Sequence, residues 1–546
     1  MRTLRLALAA ASLLAACDDG APSPAADATL PDAPPPDAAA DVAPDAPLPR
    51  VTAMSASGPV VGVTRNGVNV FRRIPYAAAP VGLLRFRPPT RADPWMTPLD
   101  ATGPASVCAQ GASLLGLSNA TGTEDCLHVN VTTPGLTGSR PVMVWIHGGG
   151  FVVGSGDEYD AARLATEGNV VVVTVNYRLG VLGFLAHPAL GSATETTGNW
   201  GFQDQQAALV WVQANAARFG GDPANVTLFG ESAGGTSVLL HLASLESRGL
   251  FARAIVQSGP APRLPPRERA YAIGQLAAQG VGCTAGDVAA CLRRADPLRL
   301  QAAVTGTNEP GGIFYQERGF VFLPTFDGVT FPTQPIAALR MGRGAEVPVI
   351  LGTNTDEGTL FHGGLIGAPV TTEAEYRAAL GRASNVLGVT PAQAAMIAER
   401  YPSSRYPSPN DALTAVTTDG IFACSARYVA RAHQAAGRVA RLYRFDQAPG
   451  RVLLQGLGVF HGAELSFVWG GGGGLLGDES TAPALGTAIR GYWTRFAATG
   501  DPGGMPAWPA WAPTADRRLR LASTVEVEPA DPDARCDFWS SIYDTL

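Results

Sequence analysis

The chain has 546 residues, 46% of them hydrophobic and 16% charged, enough apolar mass for a large buried core and too apolar for a disordered chain. All 40 basic residues are arginine, 46 acidic residues bring the formal net charge to −6, and no strongly basic stretch exists to displace counterions from a polyanion, which argues against nucleic acid as a partner. Glycine and proline (64 and 44 residues) stay below the share that marks a low-complexity chain.

Residues 1–17, MRTLRLALAAASLLAAC, place Arg2 and Arg5 ahead of an apolar run too short to span a bilayer, followed by small residues. This is the layout of an export signal. Its end, Leu14-Ala15-Ala16-Cys17, resembles the lipobox of bacterial lipoproteins, in which Cys17 would be acylated; the alternative is ordinary cleavage at an Ala-rich site. Residues 18–50, rich in Pro, Ala and Asp, contain almost nothing that packs and read as an extended, self-repelling tether. No linker follows, so residues 51–546 are expected to form a single catalytic domain. The expected location is the cell envelope, as a lipoprotein, or otherwise the periplasm or the medium, with membrane contact only through a lipid at Cys17.

Six further cysteines, Cys108, Cys126, Cys283, Cys291, Cys424 and Cys536, are an even number in an exported chain, the condition under which disulfides persist. Nearest-neighbour closure suggests Cys108–Cys126 and Cys283–Cys291 and leaves Cys424–Cys536. No CxxC or Cys/His cluster supports zinc.

From residue 140, β-branched runs alternate with helical stretches: VMVWI (142–146), VVVVTV (170–175), a helix over Asp204–Arg218, VTLF (226–229), a helix from Ala233, then AIVQ (254–257). This βαβα order predicts an α/β fold with a large, mostly parallel sheet and helices on both faces. VPVIL (347–351), ARLYRF (440–445) and LRLA (519–522) would extend the sheet, and segments 260–345 and 365–435 read as helical insertions. Ligand sites in such folds lie beyond the carboxyl ends of the strands.

The chemistry-bearing motifs fall there. After VTLF comes Gly230-Glu231-Ser232-Ala233-Gly234-Gly235, a GxSxG turn that would raise the Ser232 hydroxyl above the sheet. After VMVWI comes His147-Gly148-Gly149-Gly150-Phe151, whose glycine amides, with that of Ala233, could bind the oxyanion of a tetrahedral intermediate. A serine needs a base oriented by an acid. In α/β-hydrolases the order is serine, acid, histidine, which leaves His362, His433 and His461. His362 follows too closely on the acid loop, His433 lies in a helical run that reads as solvated, and His461 in VFHGAELSF is selected. The acid is Asp356 or Glu357, neighbours in the loop after VPVIL.

The chain resembles the type-B carboxylesterases of the cholinesterase and para-nitrobenzyl esterase family, from about residue 55 to the C-terminus. The resemblance is carried by RRIPYAAAPVGLLRFRPP (72–89), EDCLHVNV (124–131), HGGGF (147–151), NYRLG (176–180), GNWGFQDQQAAL (198–209), FGGDPANVTLFGESAGG (219–235), QSGPA (257–261), TNTDEGTLF (353–361) and FHGAELSFVWG (460–470). It implies the α/β-hydrolase fold and a serine carboxylic ester hydrolase with Ser232 as nucleophile, Glu357 as acid and His461 as base. Gly149, Gly150 and Ala233 would form the oxyanion hole, the family's three disulfides fall on the pairs reached by spacing, and no metal or cofactor is implied. Glu231 either adds negative potential near the imidazolium or merely solvates the turn.

Three departures stand out: Arg73 where the family has glycine, a five-glycine run at 470–474, and a contracted Cys108–Cys126 loop. Cholinesterases carry their principal choline-binding tryptophan in that loop, whereas residues 109–125 here contain no aromatic residue. Leu360 and Phe361 keep one ring where cholinesterases have two. The expected substrate is therefore a small to medium neutral ester. The rivals are a catalytically idle surface binding protein on the same fold, and a lipase or lactonase with the same triad.

Overall fold

Thirteen strands among the described residues make one sheet: β1 (Arg50–Ser55), β2 (Gly58–Arg65), β3 (Val68–Pro75), β4 (Leu99–Asp100), β5 (His128–Thr133), β6 (Arg140–Ile146), β7 (Val171–Val175), β8 (Gly221–Glu231), β9 (Arg253–Gln257), β10 (Val349–Asn354), β11 (Ala440–Phe445), β12 (Arg517–Leu521) and β13 (Glu526–Pro529). The computed structural model describes residues 48–111, 121–191, 197–261, 263–305, 321–362, 369–387, 389–448, 450, 456–471, 479–531 and 534–545. The expected signal, Cys17 and nearly all of the expected tether lie outside them, as does most of the glycine run. Residues Leu48–Leu546 form one compact unit.

Strand order is β1-β2-β3-β5-β7-β6-β8-β9-β10-β11-β12-β13, with β4 beside β2. From β7 to β12 every pairing is parallel. The run β1-β2-β3-β5-β7 and the last pair β12-β13 are antiparallel. Each strand expected from the β-branched runs is present, and the helix expected over Asp204–Arg218 starts earlier, at Trp200, and ends at Asn215 before a 3-10 turn.

The central parallel strands β6 to β10 are largely buried on both faces, which is why their sequences are nearly continuous apolar runs. Their alternate residues nevertheless enter two different cores. Val142, Val144 and Ile146 of β6 pack on one face with Val226 and Leu228 of β8, under the helices Trp200–Asn215, Ala233–Ala243 and Cys424–Ala435. Met143, Trp145 and Phe229 pack on the other, under Ala162–Gly168 and Pro483–Thr499. Each such side chain contributes about 1.5–3 kcal/mol by leaving water. A third core, around Tyr376, Ile397, Tyr401 and Trp539, joins the second helical insertion to the C-terminal helix Arg535–Asp544.

All three disulfides are formed: Cys108–Cys126, Cys283–Cys291 and Cys424–Cys536. Several quoted motifs meet one another in space. Arg178 of NYRLG grips Asp204 of GNWGFQDQ through two 2.7 Å bonds in the interior, and Arg85 of LLRFRPP pairs with Glu124 of EDCLHVNV. Arg73, which stands where the resembling family has glycine, has φ +57°, so a left-handed backbone is kept there, beside the bulge between β3 and β5.

Candidate active site

Strand β8 ends at Glu231, and Ser232 follows with φ +55° and ψ −122°. A non-glycine residue held there costs about 1–3 kcal/mol, and the surroundings enforce it. The Ser232 amide donates to the Gln257 carbonyl at 2.9 Å, and its carbonyl accepts from Thr236 at 2.8 Å. The flanking glycines answer to close packing as much as to the turn: a Cβ on Gly234 would lie 2.0 Å from the Ile146 carbonyl oxygen, and one on Gly230 would lie 2.6 Å from the backbone of Gly234. Only hydrogens at these positions let the helix Ala233–Ala243 start directly above β6 and β8.

The loop after β6 comes up against the same turn. A Cβ on Gly148 would meet the Glu231 carboxylate at 2.7 Å and Ser232 Cβ at 3.1 Å. Gly149 and Gly150 have φ +100° and +63°, and the Gly149 carbonyl accepts from both Val152 and Val153 at 3.1 Å. His147 is stacked on Tyr177, whose hydroxyl donates to the His147 carbonyl at 2.9 Å, so the loop is anchored at its base. Ala233 opens its helix, and its amide has no intrahelical acceptor. The amides of Gly149 and Gly150 take part in no hydrogen bond among the described residues.

Strand β10 delivers the acid and the loop after β11 the histidine. His461 Nδ1 donates to Glu357 Oε2 at 2.6 Å, and its Nε2 stands 3.2 Å from Glu231 Oε1. Glu357 is wholly buried, its other oxygen taking the Asn354 amide at 2.8 Å. The neighbouring Asp356 points elsewhere: its carboxylate accepts from the Val459 amide at 2.8 Å and so pins the histidine loop instead of meeting the imidazole. Glu231 is 5% exposed, which overturns the reading of it as a solvated turn residue.

Two residues that sequence reasoning passed over complete the base of the site. Asn354 donates through Nδ2 to the Phe460 carbonyl at 2.8 Å and to Glu464 at 2.7 Å. Glu464, fully buried, takes its second bond from Gln257 at 3.0 Å. Glu464 lies only three positions after His461, the one signal that could have found it; its partners come from β9 and β10. Aromatic rings flank the imidazole: Phe422 at 4.8 Å and Phe361 at 5.3 Å, themselves stacked on each other. Leu360 packs into the second core.

The electrostatics single out one histidine. Burial pushes His128, His147, His187, His241, His362 and His433 down from the ordinary imidazole value. His433, expected on a solvated helix face, is in fact buried with Nε2 at 2.6 Å from the Val347 carbonyl, because its helix packs on the sheet. Burial would lower His461 as well, but Glu231, Glu357 and Glu464 around it outweigh that and hold it up at about 9. Burial raises Glu231 to about 8 against the pull of His461. The two groups stand in contact, so their titrations are coupled.

Comparison with known proteins gives one answer. The model of the carboxylesterase family matches residues 49–539. The para-nitrobenzyl esterase of Bacillus subtilis (strain 168) is 37% identical over 499 residues, spanning 87% of this chain and 96% of that protein. Carboxylesterase 1D of Rattus norvegicus is 34% identical over 511 residues, spanning 87% and 89%. A solved structure of PNB esterase superposes with a TM-score of 0.77 at 34% identity, covering 90% of this chain and 99% of that one.

Proposed function

The chain belongs to the carboxylesterase family and is a serine carboxylic ester hydrolase, and from that premise we propose that it cleaves small to medium neutral esters through an acyl-enzyme on Ser232. Ser232 Oγ attacks the ester carbonyl carbon while its proton passes to Nε2 of His461, and the carbonyl electron pair moves onto oxygen. The amides of Gly149, Gly150 and Ala233 receive that oxyanion, each donor lowering the barrier by about 3 kcal/mol. Collapse re-forms the carbonyl and breaks the bond to the alcohol oxygen, which leaves with the proton from His461. A water molecule, deprotonated by the same imidazole, then releases the acid and regenerates Ser232.

Glu357 keeps the proton on Nδ1, leaves Nε2 free to accept, and stabilises the imidazolium. Glu231, beside Nε2, adds to that stabilisation. The observation that carries this reading is the 2.6 Å bond between His461 and Glu357, which presets the tautomer a general base requires. Neutral substrates are favoured because the loop 109–125 has no ring to face a quaternary ammonium, an interaction worth about 2 kcal/mol when desolvated. We also propose export and acylation at Cys17, supported by the signal-like residues 1–17 and by three disulfides of the kind that persist in oxidising compartments.

A fluorophosphonate should label Ser232 covalently, and Ser232→Ala should lose both labelling and about 10⁴-fold or more of turnover. Undiminished hydrolysis by that variant would overturn the mechanism. Detergent partition of the exported protein, abolished in Cys17→Ser, tests the anchor; a wild-type protein recovered wholly in the aqueous phase would refute it.

A further inference from the structure

The helix Pro409–Thr417 runs on without interruption as a π-helical turn, Thr418–Ala423, and then as the helix Cys424–Ala435. π-helical turns inside α-helices recur at functional sites, and this one touches His461 and the residue that follows Glu357. At its first residue, Thr418 Oγ1 accepts a 3.0 Å hydrogen bond from the amide of Gly358, the residue that follows Glu357. Four residues later, Phe422 sets its ring 4.8 Å from the His461 imidazole. The approach at Gly358 is close: a Cβ there would lie 2.3 Å from the Thr414 carbonyl oxygen.

The opposite side of the turn is held by the C-terminal helix. Arg535 pairs with Asp419 at 3.1 Å, the Tyr543 hydroxyl donates to the Gly420 carbonyl at 2.7 Å, and the Cys424–Cys536 disulfide joins the two helices just beyond. The turn is thus a stiff block against which the acid's loop rests.

We propose that Thr418 is a positioning residue for ester hydrolysis: by holding the Gly358 amide, its hydroxyl sets where the Glu357 carboxylate stands against His461. The proposal rests on the Ser232–His461–Glu357 reading. The acid is tied on its strand side by the Asn354 amide; on its loop side Thr418 holds the amide of the residue that follows it, beside the ties of Asp356 and Thr359 to the histidine loop. Without the hydroxyl, the buried Gly358 amide loses its acceptor, the loop relaxes, and the imidazolium loses part of its counter-charge.

The test compares Thr418→Val with Thr418→Ser in steady-state hydrolysis of a neutral chromogenic ester across pH. Thr418→Val should lower kcat by about tenfold, the factor that corresponds to ~1.4 kcal/mol of barrier, with KM little changed. The acid limb of kcat/KM should move to lower pH, because a displaced carboxylate supports the imidazolium less. Thr418→Ser should restore both. Should the valine variant not fold, Thr418→Ala reads the same quantities. Ser232→Ala and Glu357→Gln in the same assay report on the triad: wild-type turnover in either sinks that reading. With both of those impaired, wild-type kcat and acid limb in Thr418→Val, or a serine variant as defective as the valine, would overturn the role of Thr418 alone.

Discussion

The turn that carries Ser232 and the helical block that carries Thr418 and Phe422 meet the same histidine, the first through Glu231 and the second through Phe422, and they are built differently. At the serine, position is enforced by contact at the limit of atomic size, with glycines packed under carbonyl oxygens. At the block, position is enforced by single hydrogen bonds and ring contacts arriving from a distant part of the chain. The first arrangement tolerates no added atom. The second adds to its own close approach at Gly358 a dependence on the bonding group of Thr418.

The contrast breaks most sharply at Gly234. In Gly234→Ala the new methyl would lie 2.0 Å from the Ile146 carbonyl oxygen, so the helix must lift and carry Ser232 with it. A displacement of this kind costs about 10²-fold in rate, and kcat measured on whatever folded protein is recovered should show it; a variant within twofold of wild type would mean that the elbow yields easily. The next effect is on selectivity. A choline ester should be hydrolysed with a kcat/KM about tenfold below its neutral isostere, a discrimination of ~1.4 kcal/mol, and preference for the choline ester would show a cation cage that the contracted loop conceals.

The smallest effect sharpens the electrostatic side. His461 must be neutral to take the serine proton, so activity falls as pH drops through its pKa. The surrounding carboxylates raise that pKa, which places the acid limb of kcat/KM above ~6.5, the ordinary imidazole value. Glu231→Gln removes one of those charges and should move the limb to lower pH. A limb that stays in place, or climbs, would show that Glu231 carries no charge felt by the imidazole.

The same contrast explains what could be read from the residues beforehand. The central strands announce themselves because burial on both faces demands continuous apolar runs, and the two glycine motifs do so because their constraints lie within a few residues of each other. The strands β1 to β5 at one edge of the sheet leave no comparable signal: β1 alternates exposed and buried positions, and β4 is two residues long. Spacing could not separate Asp356 from Glu357; the orientation that separates them depends on Val459, a hundred residues away. Thr418 and Phe422 sit in a helical insertion without any motif, and Glu464 passes for a surface carboxylate until its amide clamp from two other strands is seen.

The Cys424–Cys536 bridge closes a covalent ring of chain that contains β11, the His461 loop, the helix Pro483–Thr499 and β12. Hydrolysis of any one peptide bond inside that ring leaves the two fragments tied together, with the base still attached to the body that holds the nucleophile. A single nick there would pass unnoticed on a non-reducing gel and become visible only after a thiol is added.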